Sequence, residues 1–356
     1  MPKVIEAATG APQRGADILI VIPSLNEQSH IEGVIRSLQA DADAIEALIV
    51  LADDGSRDDT VAIVERIGMT DPRVIALSTS EPPGVSSSVN RAVERFGHRR
   101  RWLVRIDAHA DYPANYPSRL VRVAMEHDAA AVVTPMTSRG TTCFQVAAAA
   151  AQNSFLGTGG SAHRMVGRRG GWVEHGHHAL IALGTFAAVG GYDETFSHNE
   201  DAELDHRIID AGGRIWLEND LSLVYYPRKT LRSLARQYFF YGRGRAMTVA
   251  RHPGLRRLRQ VVPLVIAPSC CLLIISPVFW PIALPAFAWA ALCLAYGAVL
   301  GIKQGRCAAG AGVAAILMQG AWSFGYWSQV LFGHRPGGPP AVIEMRNQPG
   351  VGVAAS

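Results

Sequence analysis

Short apolar, β-branched runs alternate with amphipathic stretches through residues 17–134. The runs predict strands, which we place at Ile18–Ile22, Leu48–Leu51, Val74–Leu77, Trp102–Ile106 and Ala130–Val133. The stretches between them have helical spacing, and we place helices near residues 30–39, 60–67, 88–96 and 116–127. Strands that alternate with helices are typical of an open parallel sheet covered by helices, so the pattern predicts an α/β domain.

The C-terminal part has a different pattern, because charged residues almost disappear from it. No Asp, Glu, Lys or Arg occurs from Val261 to Ile302 or from Cys307 to Phe332. About 20 apolar residues suffice to cross a bilayer, so we predict about three spans, over 261–280, 282–302 and 307–332. Prolines near residues 277–285 leave a re-entrant hairpin over 261–302 as an alternative. Basic residues before the first span and after the second predict that these ends are cytoplasmic and that the tail lies outside.

The formal net charge of +4 is unevenly distributed along the 356 residues. Residues 1–226 hold 20 basic and 29 acidic residues, whereas residues 227–259 hold ten basic residues and no acidic one. An anionic membrane surface attracts such a basic segment, and nucleic acid is the weaker alternative. We therefore expect a catalytic body at 1–226, basic membrane-interface helices at 227–260, a transmembrane region at 261–332 and a tail at 333–356.

Two further features bear on the compartment of the body. The first 17 residues contain no apolar core of a signal peptide, so we expect the body to stay in the cytoplasm. None of the cysteines forms a CxxC pair, and we interpret them as small residues in or beside the membrane rather than as disulfide partners. They are Cys143, Cys270, Cys271, Cys293 and Cys307.

Polar residues collect where three of the predicted strands end. Pro23, Ser24, Asn26 and Glu27 follow the first strand, Asp53 and Asp54 the second, and Asp107, His109 and Asp111 the fourth. Ligands of open α/β sheets bind outside the carboxyl ends of the strands, so we expect one site there. No GxGxxG or GxxxxGK[ST] follows these strands, which argues against dinucleotide oxidoreductases and P-loop enzymes. The acids suit a divalent metal ion that carries a diphosphate.

Five segments together resemble family 2 glycosyltransferases, and within them the ExoA type of bacterial succinoglycan and related exopolysaccharide assembly. The segments are VIPSLNE (21–27), ADDGSRDDT (52–60), IDAHADYP (106–113), GGYDETFSHNEDAEL (190–204) and QYFFYGRGR (237–245). The resemblance covers about residues 18–260. It implies a GT-A fold, inverting transfer from a nucleotide sugar, and a place at the bacterial inner membrane.

The resemblance also implies which residues bind the donor. We expect the nucleotide sugar to contact a set drawn from the strand ends and from the QYFFYGRGR segment: Pro23, Asn26, Glu27, Asp53, Asp54, Asp107, Arg243 and Arg245. The family's Asp-X-Asp metal motif reads Asp107-Ala108-His109 here. An imidazole ligand shifts the preference from Mg²⁺ towards Mn²⁺, and Asp111 is expected as an additional ligand or as a partner of His109. A purely structural alternative is that Asp54 and Ser56 only cap a turn and the next helix.

Glu200 and Asp201 match the family's acidic pair at the start of a predicted helix. A sugar hydroxyl is a poor nucleophile, so a carboxylate must accept its proton as it attacks. We expect Asp201 to be this base and Glu200 to support its orientation. The bland alternative is an acidic first turn that the helix dipole favours. His175, His177 and His178 have no acid or cysteine at a metal-site spacing, and we expect them in a loop near the acceptor or on the surface.

The implied reaction moves a hexose, glucose from UDP-glucose by resemblance, onto a polyprenyl-diphosphate-linked saccharide. The alternatives are a polyprenyl-monophosphate glycosyltransferase, a processive polysaccharide synthase and, outside enzymes, a nucleotide-binding scaffold of an export complex. The expected partners are therefore a UDP-sugar, the lipid-linked acceptor and membrane lipids, with no nucleic acid. A homo-oligomer remains open.

Overall fold

The computed structural model describes residues 15–78, 83–158, 170–252, 263–334, 337–338 and 340–345. Its strands are β1 (Ile18–Ser24), β2 (Leu48–Asp53), β3 (Val74–Ser78), β4 (Trp102–Arg105), β5 (Ala110–Asp111), β6 (Ala131–Thr134), β7 (Met136–Ser138), β8 (Gly171–Val173), β9 (His177–Ala182), β10 (Ile215–Leu217) and β11 (Leu223–Tyr225). Its α-helices are α1 (Ile31–Gln39), α2 (Thr60–Gly68), α3 (Val85–Phe96), α4 (Tyr116–His127), α5 (Cys143–Gln152), α6 (Phe155–Thr158), α7 (Leu183–Ala188), α8 (Glu200–Asp210), α9 (Leu231–Arg251), α10 (Ile266–Leu272), α11 (Leu284–Gln304) and α12 (Ala311–Phe332). The five strands and four helices predicted between residues 17 and 134 are confirmed.

The main sheet has eight strands in the order β3-β2-β1-β4-β9-β6-β10-β8. The first four are parallel, as predicted. The complete sheet is mixed, however, because β9, a strand that the sequence did not predict, runs antiparallel to both β4 and β6, and β8 runs antiparallel to β10. A smaller sheet of β5, β11 and β7 lies beside it.

Apolar side chains cover both faces of the main sheet. Ile20 and Ile22 of β1 pack with α1 and α4 on one face. Leu19 and Val21 pack with α3, α7 and α8 on the other. A strand buried on both faces has no polar side to alternate with, which explains why β1 is an uninterrupted apolar run. This double burial fixes the position of the loops at its carboxyl end.

The C-terminal helices differ from the prediction of three spans. Within the described residues, two helical segments, Trp280–Gln304 and Arg306–Phe332, are long and apolar enough to cross a membrane. The predicted first span is not continuous, because α10 ends at Leu272 and turns follow as far as Trp280. Pro277 and Pro281 lack the backbone N–H that a helix needs there. Residues 253–262, with the basic end of the predicted interface segment, lie outside the described residues.

Two of the five cysteines form a disulfide, which corrects our interpretation of them. Cys143 at the start of α5 is bonded to Cys307, just before α12. The partners are 164 residues apart, so no local spacing indicates the pair. The apolar face of α5 packs with Leu234 of α9 and with the residues around Ala311, and this packing brings the two cysteines together.

The described part of the tail contacts the body, which contradicts the prediction that the tail and the body lie on opposite sides of a membrane. The Ile343 N–H donates to the Ala187 carbonyl of α7 over 3.1 Å. Ile343 and Met345 pack against the apolar cluster on the α3–α7–α8 face of the sheet. Arg251 at the end of α9 donates to the Gly337 carbonyl over 2.8 Å. Segments on either side of the two apolar helices therefore contact the same domain.

Candidate active site

The ends of β2, β1 and β4 lie side by side, which brings the predicted strand-end clusters together. Ser24 is paired with Asp53 across the β1–β2 ladder, and Val21 with Arg105 across the β1–β4 ladder. Asn26 has a left-handed backbone with φ of 58°. Its N–H donates to Ser56 Oγ over 2.8 Å, and its Oδ1 accepts from the Arg57 N–H over 2.9 Å. The first two loops thus form one surface.

Asp53 and Asp54 both hold backbone groups at the end of β2. The buried Asp53 carboxylate accepts from the Gly55 and Ser56 N–H groups, each over 3.0 Å. Asp54 Oδ1 accepts from the Gly84 N–H over 2.8 Å at the start of α3. Both acids therefore shape the loops that surround the cleft. Pro23, paired with Ala52, lies beside them on β1.

Glu27 links the first loop to His109 after β4. Glu27 Oε1 lies 3.0 Å from His109 Nδ1, and this hydrogen bond raises the pKa of His109. Burial acts to raise the pKa of Glu27, but the hydrogen bonds and charges of His109 and His30 lower it overall. Asp111, expected as a possible partner of His109, instead accepts from Tyr226 Oη over 2.6 Å. The carboxylate beside His109 is that of Glu27.

Arg105, the last residue of β4, joins the strand ends to helix α8. Its buried guanidinium donates from Nη1 to Asp201 Oδ1 over 2.7 Å and lies 3.5 Å from Glu200 Oε1. Its Nε is 3.8 Å from Asp107 Oδ1. Sequence reasoning missed this residue. The signal was a single charged side chain inside the apolar run WLVRI, where a buried charge needs a partner.

Glu200 and Asp201 begin α8, as predicted, and their side chains differ in basicity. Burial and the neighbouring Asp201 charge raise the pKa of Glu200. Burial acts in the same direction on Asp201, but Arg105 and then His178 outweigh it and hold the pKa of Asp201 well below its usual range. Asp107 behaves like Asp201, since burial is outweighed by Arg105 and His177 and its pKa is lowered. Asp107 and Asp201 are therefore both ionised at neutral pH.

The histidines that the sequence placed in a loop or on the surface lie within this cluster, so that expectation is wrong for two of them. His177 lies 3.5 Å from Asp107 Oδ2 and 3.6 Å from Asp201 Oδ2. His178 is fully buried, with Nδ1 3.2 Å from Asp201 Oδ1 and Nε2 2.6 Å from Asp205 Oδ1. Burial acts to lower the pKa of His178, but Asp205 and Asp201 raise it to about 10.

Asp205 was also missed as part of the site. It lies one helical turn after Asp201, so both carboxylates face β9. Its other oxygen lies 2.6 Å from His175 Nδ1. No local spacing relates these acids to the histidines, because they meet only when α8 packs on β9. Near the histidines in the sequence there is no acid at a suitable spacing, but Asp205 on α8 supplies one in the fold.

The two arginines predicted to contact the diphosphate lie on α9. Arg243 donates from Nε and Nη2 to Gln329 Oε1 of α12, over 3.1 and 3.0 Å. Arg245 lies towards α8. Burial, the charge of His252 and then the charge of Arg245 lower the pKa of His206 on that helix to about 4. In the structure Arg243 therefore serves the contact between helices. Arg228 lies nearer the cleft, since its charge acts on His109.

No group of three or more His, Cys, Asp or Glu side chains among the described residues has the arrangement of a metal site. Asp107 and His109 remain two neighbouring donors of the kinds that Mn²⁺ accepts. His109 uses Nδ1 for Glu27, which leaves Nε2 for another ligand. A metal-bound imidazole commonly has its second nitrogen on a carboxylate in this way. The two side chains are therefore of the chemical kind that suits a divalent ion.

Comparisons with known proteins identify the family of this chain. Residues 19–183 match the family model described as glycosyl transferase family 2. The chain is 48% identical over 318 residues to the succinoglycan biosynthesis protein ExoA of Rhizobium meliloti (strain 1021), covering 88% of this chain and 94% of that protein. The chain belongs to glycosyltransferase family 2. Within the family it is of the ExoA type, as the five motifs indicated.

Two further similarities are more distant. A pre-mycofactocin glycosyltransferase of Mycobacterium tuberculosis is 37% identical over 79 residues, which is 22% of this chain and 16% of that protein. Among solved structures, the mannosyltransferase PcManGT of Pyrobaculum calidifontis, in complex with GDP-Man and Mn²⁺, superimposes with a TM-score of 0.57 at 18% identity, covering 92% of this chain and 91% of that chain. The latter similarity confirms the GT-A fold of this glycosyltransferase.

Proposed function

We propose that this glycosyltransferase moves a hexose from a nucleotide sugar onto a polyprenyl-diphosphate-linked saccharide, with inversion, in exopolysaccharide assembly. The observation that carries the proposal is Arg105, which joins Asp107, in the motif for the donor, to Asp201, in the motif for the base. The relative named for succinoglycan biosynthesis supports the pathway. UDP-glucose is the donor that the resemblance to the ExoA type implies, and we include it in the proposal on that ground.

Asp201 is the base in this proposal. It is ionised at neutral pH, and its carboxylate is fixed by Arg105 on one side and His178 on another. A general base must be held within hydrogen-bonding reach of the hydroxyl that it deprotonates. The same positive charges weaken it as a proton acceptor, and Glu200, with its raised pKa, is the competing candidate. Glu200→Gln should therefore keep most of the transfer activity, and its complete loss would make Glu200 the base.

Asp107 and His109 are the residues that would hold Mn²⁺ or Mg²⁺. The ion would neutralise charge on the departing diphosphate. The pairing of His109 with Glu27 supports the assignment, because it fixes which imidazole nitrogen faces the ligand. Asn26, Asp53 and Asp54 shape the loops around the nucleotide. Arg243 and Arg245 are proposed diphosphate contacts, and the Arg243 side chain would have to release Gln329 to make one.

The catalytic body would lie in the cytoplasm at the inner membrane of a bacterium, where both substrates meet. The two apolar helices support membrane association. A lipid-linked acceptor has its diphosphate at the membrane surface, and the basic segment from residue 227 suits such a surface.

A thermal-shift panel tests the donor and the metal. The full-length protein is mixed with UDP-glucose, GDP-mannose or a dTDP-sugar, each with and without Mn²⁺. We expect the largest stabilisation with UDP-glucose plus Mn²⁺, because a ligand that binds only the folded state raises the melting temperature. His109→Ala should remove the part of the rise in melting temperature that depends on Mn²⁺. Equal shifts with all three nucleotides, or the same shift without metal, would contradict the proposal.

A further inference from the structure

Helix α9 lies flat across the catalytic body, because contacts along its whole length fix it there. Near its start, Gln237 Nε2 donates to Tyr225 Oη of β11 over 2.9 Å. Near its end, Arg251 forms ion pairs with Asp193 and Glu203. Twenty-one residues of α-helix extend about 30 Å, so α9 follows the surface of the body over roughly the thickness of the hydrocarbon core of a membrane.

Helix α12 runs beside α9 with the two backbones in contact. A Cβ atom on Gly242 of α9 would lie 1.9 Å from the Trp322 carbonyl oxygen. A Cβ on Gly325 of α12 would lie equally close to the Phe239 carbonyl oxygen. Further along, Arg243 donates to Gln329. Because α9 lies along the body, α12 must lie along the body as well.

Both ends of the Arg306–Phe332 segment are also held by the body. Cys307 is bonded to Cys143 at the start of α5. Beyond Phe332, the carbonyl of Gly337 accepts from Arg251, and Ile343 donates to Ala187. A helix that crosses the hydrocarbon core has its ends on opposite sides, about 30 Å apart. If α12 crossed, α9 with its arginines and the start of α8 would have to enter hydrocarbon.

Helix α11 packs antiparallel on α12 and turns a wide apolar side outwards. Its buried residues, Ala286, Cys293, Gly297 and Leu300, form one stripe. The opposite side is exposed: Phe287 is 64% exposed, and Ile302 86%. The turn before it adds Val278, which is 89% exposed. No charged residue occurs from 261 to 302.

We propose that α10, α11 and the turn between them lie in the plane of one leaflet. Neither α11 nor α12 then crosses the bilayer. The apolar surface therefore contacts lipid, and it inserts into the leaflet that faces the catalytic body. Basic residues flank this segment along the chain, since the basic segment 227–259 precedes it and Lys303 and Arg306 follow it. An apolar face with a basic border is the composition of an interfacial segment. This inference rests on the membrane association proposed above and specifies its topology.

Cysteine labelling distinguishes this topology from a pair of spans. Gln304→Cys, at the last residue of α11 before the turn to α12, and Val342→Cys, in the tail, are introduced separately into the full-length chain in a bacterial host. A membrane-impermeant maleimide is added to intact spheroplasts or to inverted inner-membrane vesicles, and labelled peptides are identified by mass spectrometry. We expect both positions to be labelled in inverted vesicles and protected in spheroplasts, since both lie on the catalytic side.

The other outcomes overturn the topology or the association. Labelling of Gln304→Cys from the spheroplast exterior would show that the helices cross. Protection of that position on both sides until detergent is added would place the turn inside hydrocarbon and would also overturn the inference. Recovery of the protein in the soluble fraction would instead refute the membrane association on which the inference rests.

A matched pair of substitutions tests which surface meets lipid. Val278→Asp places a charge on the apolar surface, and Met69→Asp places one on an equally open apolar side chain, 80% exposed, after α2. Binding of the purified protein to vesicles that contain anionic phospholipid should fall about tenfold or more for the first variant and stay unchanged for the second. Equal binding by both variants would show that this surface does not enter the bilayer.

Discussion

Loss of the proton on His178 should lower the stability of this protein at alkaline pH. His178 is fully buried between Asp201 and Asp205, and these carboxylates raise its pKa from 6.5 to about 10. Because the folded pKa lies above the unfolded one, the proton stabilises the folded state. That contribution is complete below pH 6.5 and is lost as the pH rises through about 10.

The magnitude follows from the width of this window. Each unit of pKa difference corresponds to about 1.4 kcal/mol, so the whole contribution is on the order of 5 kcal/mol. Between pH 7 and pH 9.5 the folded protein should lose about 3 kcal/mol of it. His178→Gln lacks the titrating proton and should not show this loss of about 3 kcal/mol between pH 7 and pH 9.5. Its stability at pH 7 should already be lower by about 3–5 kcal/mol, because Asp205 loses its buried partner.

The assay is urea unfolding of the detergent-solubilised protein at pH 7, 8, 9 and 9.5, followed by tryptophan fluorescence. Lysines, tyrosines and free cysteines also titrate in this range, so the difference between variants carries the test. His98→Gln, which removes a histidine outside the site, should show the same pH dependence as the parent. If His178→Gln and the parent lose stability in parallel, His178 does not hold its proton in the folded state and the ionic account of the cluster fails.

Three other changes have distinct expected outcomes. Gly325→Ala should separate α12 from α9 and lower the melting temperature of the protein, whereas Gly320→Ala, whose Cβ would meet nothing closer than 3.9 Å, should not; equal melting temperatures would contradict the packing. Arg105→Met leaves buried acids without their partner and should reduce transfer at least 100-fold, with Arg105→Lys recovering part of it, as measured by sugar transfer from the radiolabelled donor. His109→Asp should shift the preferred ion from Mn²⁺ towards Mg²⁺ in the same assay, and an unchanged preference would exclude His109 as a ligand.

The body of the fold could be predicted from the sequence because its signals are local. β1 is buried on both faces, so its apolar run is uninterrupted, and the polar residues after it mark the end of the strand. The starts of α2 and α8 were also visible, since each follows a cluster of acids and turn residues. The position of β9 was not visible locally. Its antiparallel place between β4 and β6 depends on contacts with strands far away in the chain.

The site was predicted in outline, and its missing members share one cause. Asp107 and Asp201 were predicted as a donor residue and as the base, but Arg105, which joins them, occupies a strand position that usually packs in the core. His178 and Asp205 are separated by 27 residues and meet across a strand and a helix. The Cys143–Cys307 pair is hidden in the same way by 164 residues. Composition can indicate a membrane helix, but it does not indicate that α12 packs against α9.

Asp201→Asn provides the most direct test of the claim that one cluster both holds the donor and activates the acceptor. Binding of UDP-glucose with Mn²⁺ and transfer to the lipid-linked acceptor are measured on the same preparation. The account predicts that donor affinity changes less than about threefold, because Asp107 and His109 are intact, while transfer falls at least 1000-fold, because no carboxylate accepts the hydroxyl proton. Transfer at the parental rate, or loss of donor binding together with transfer, would contradict it.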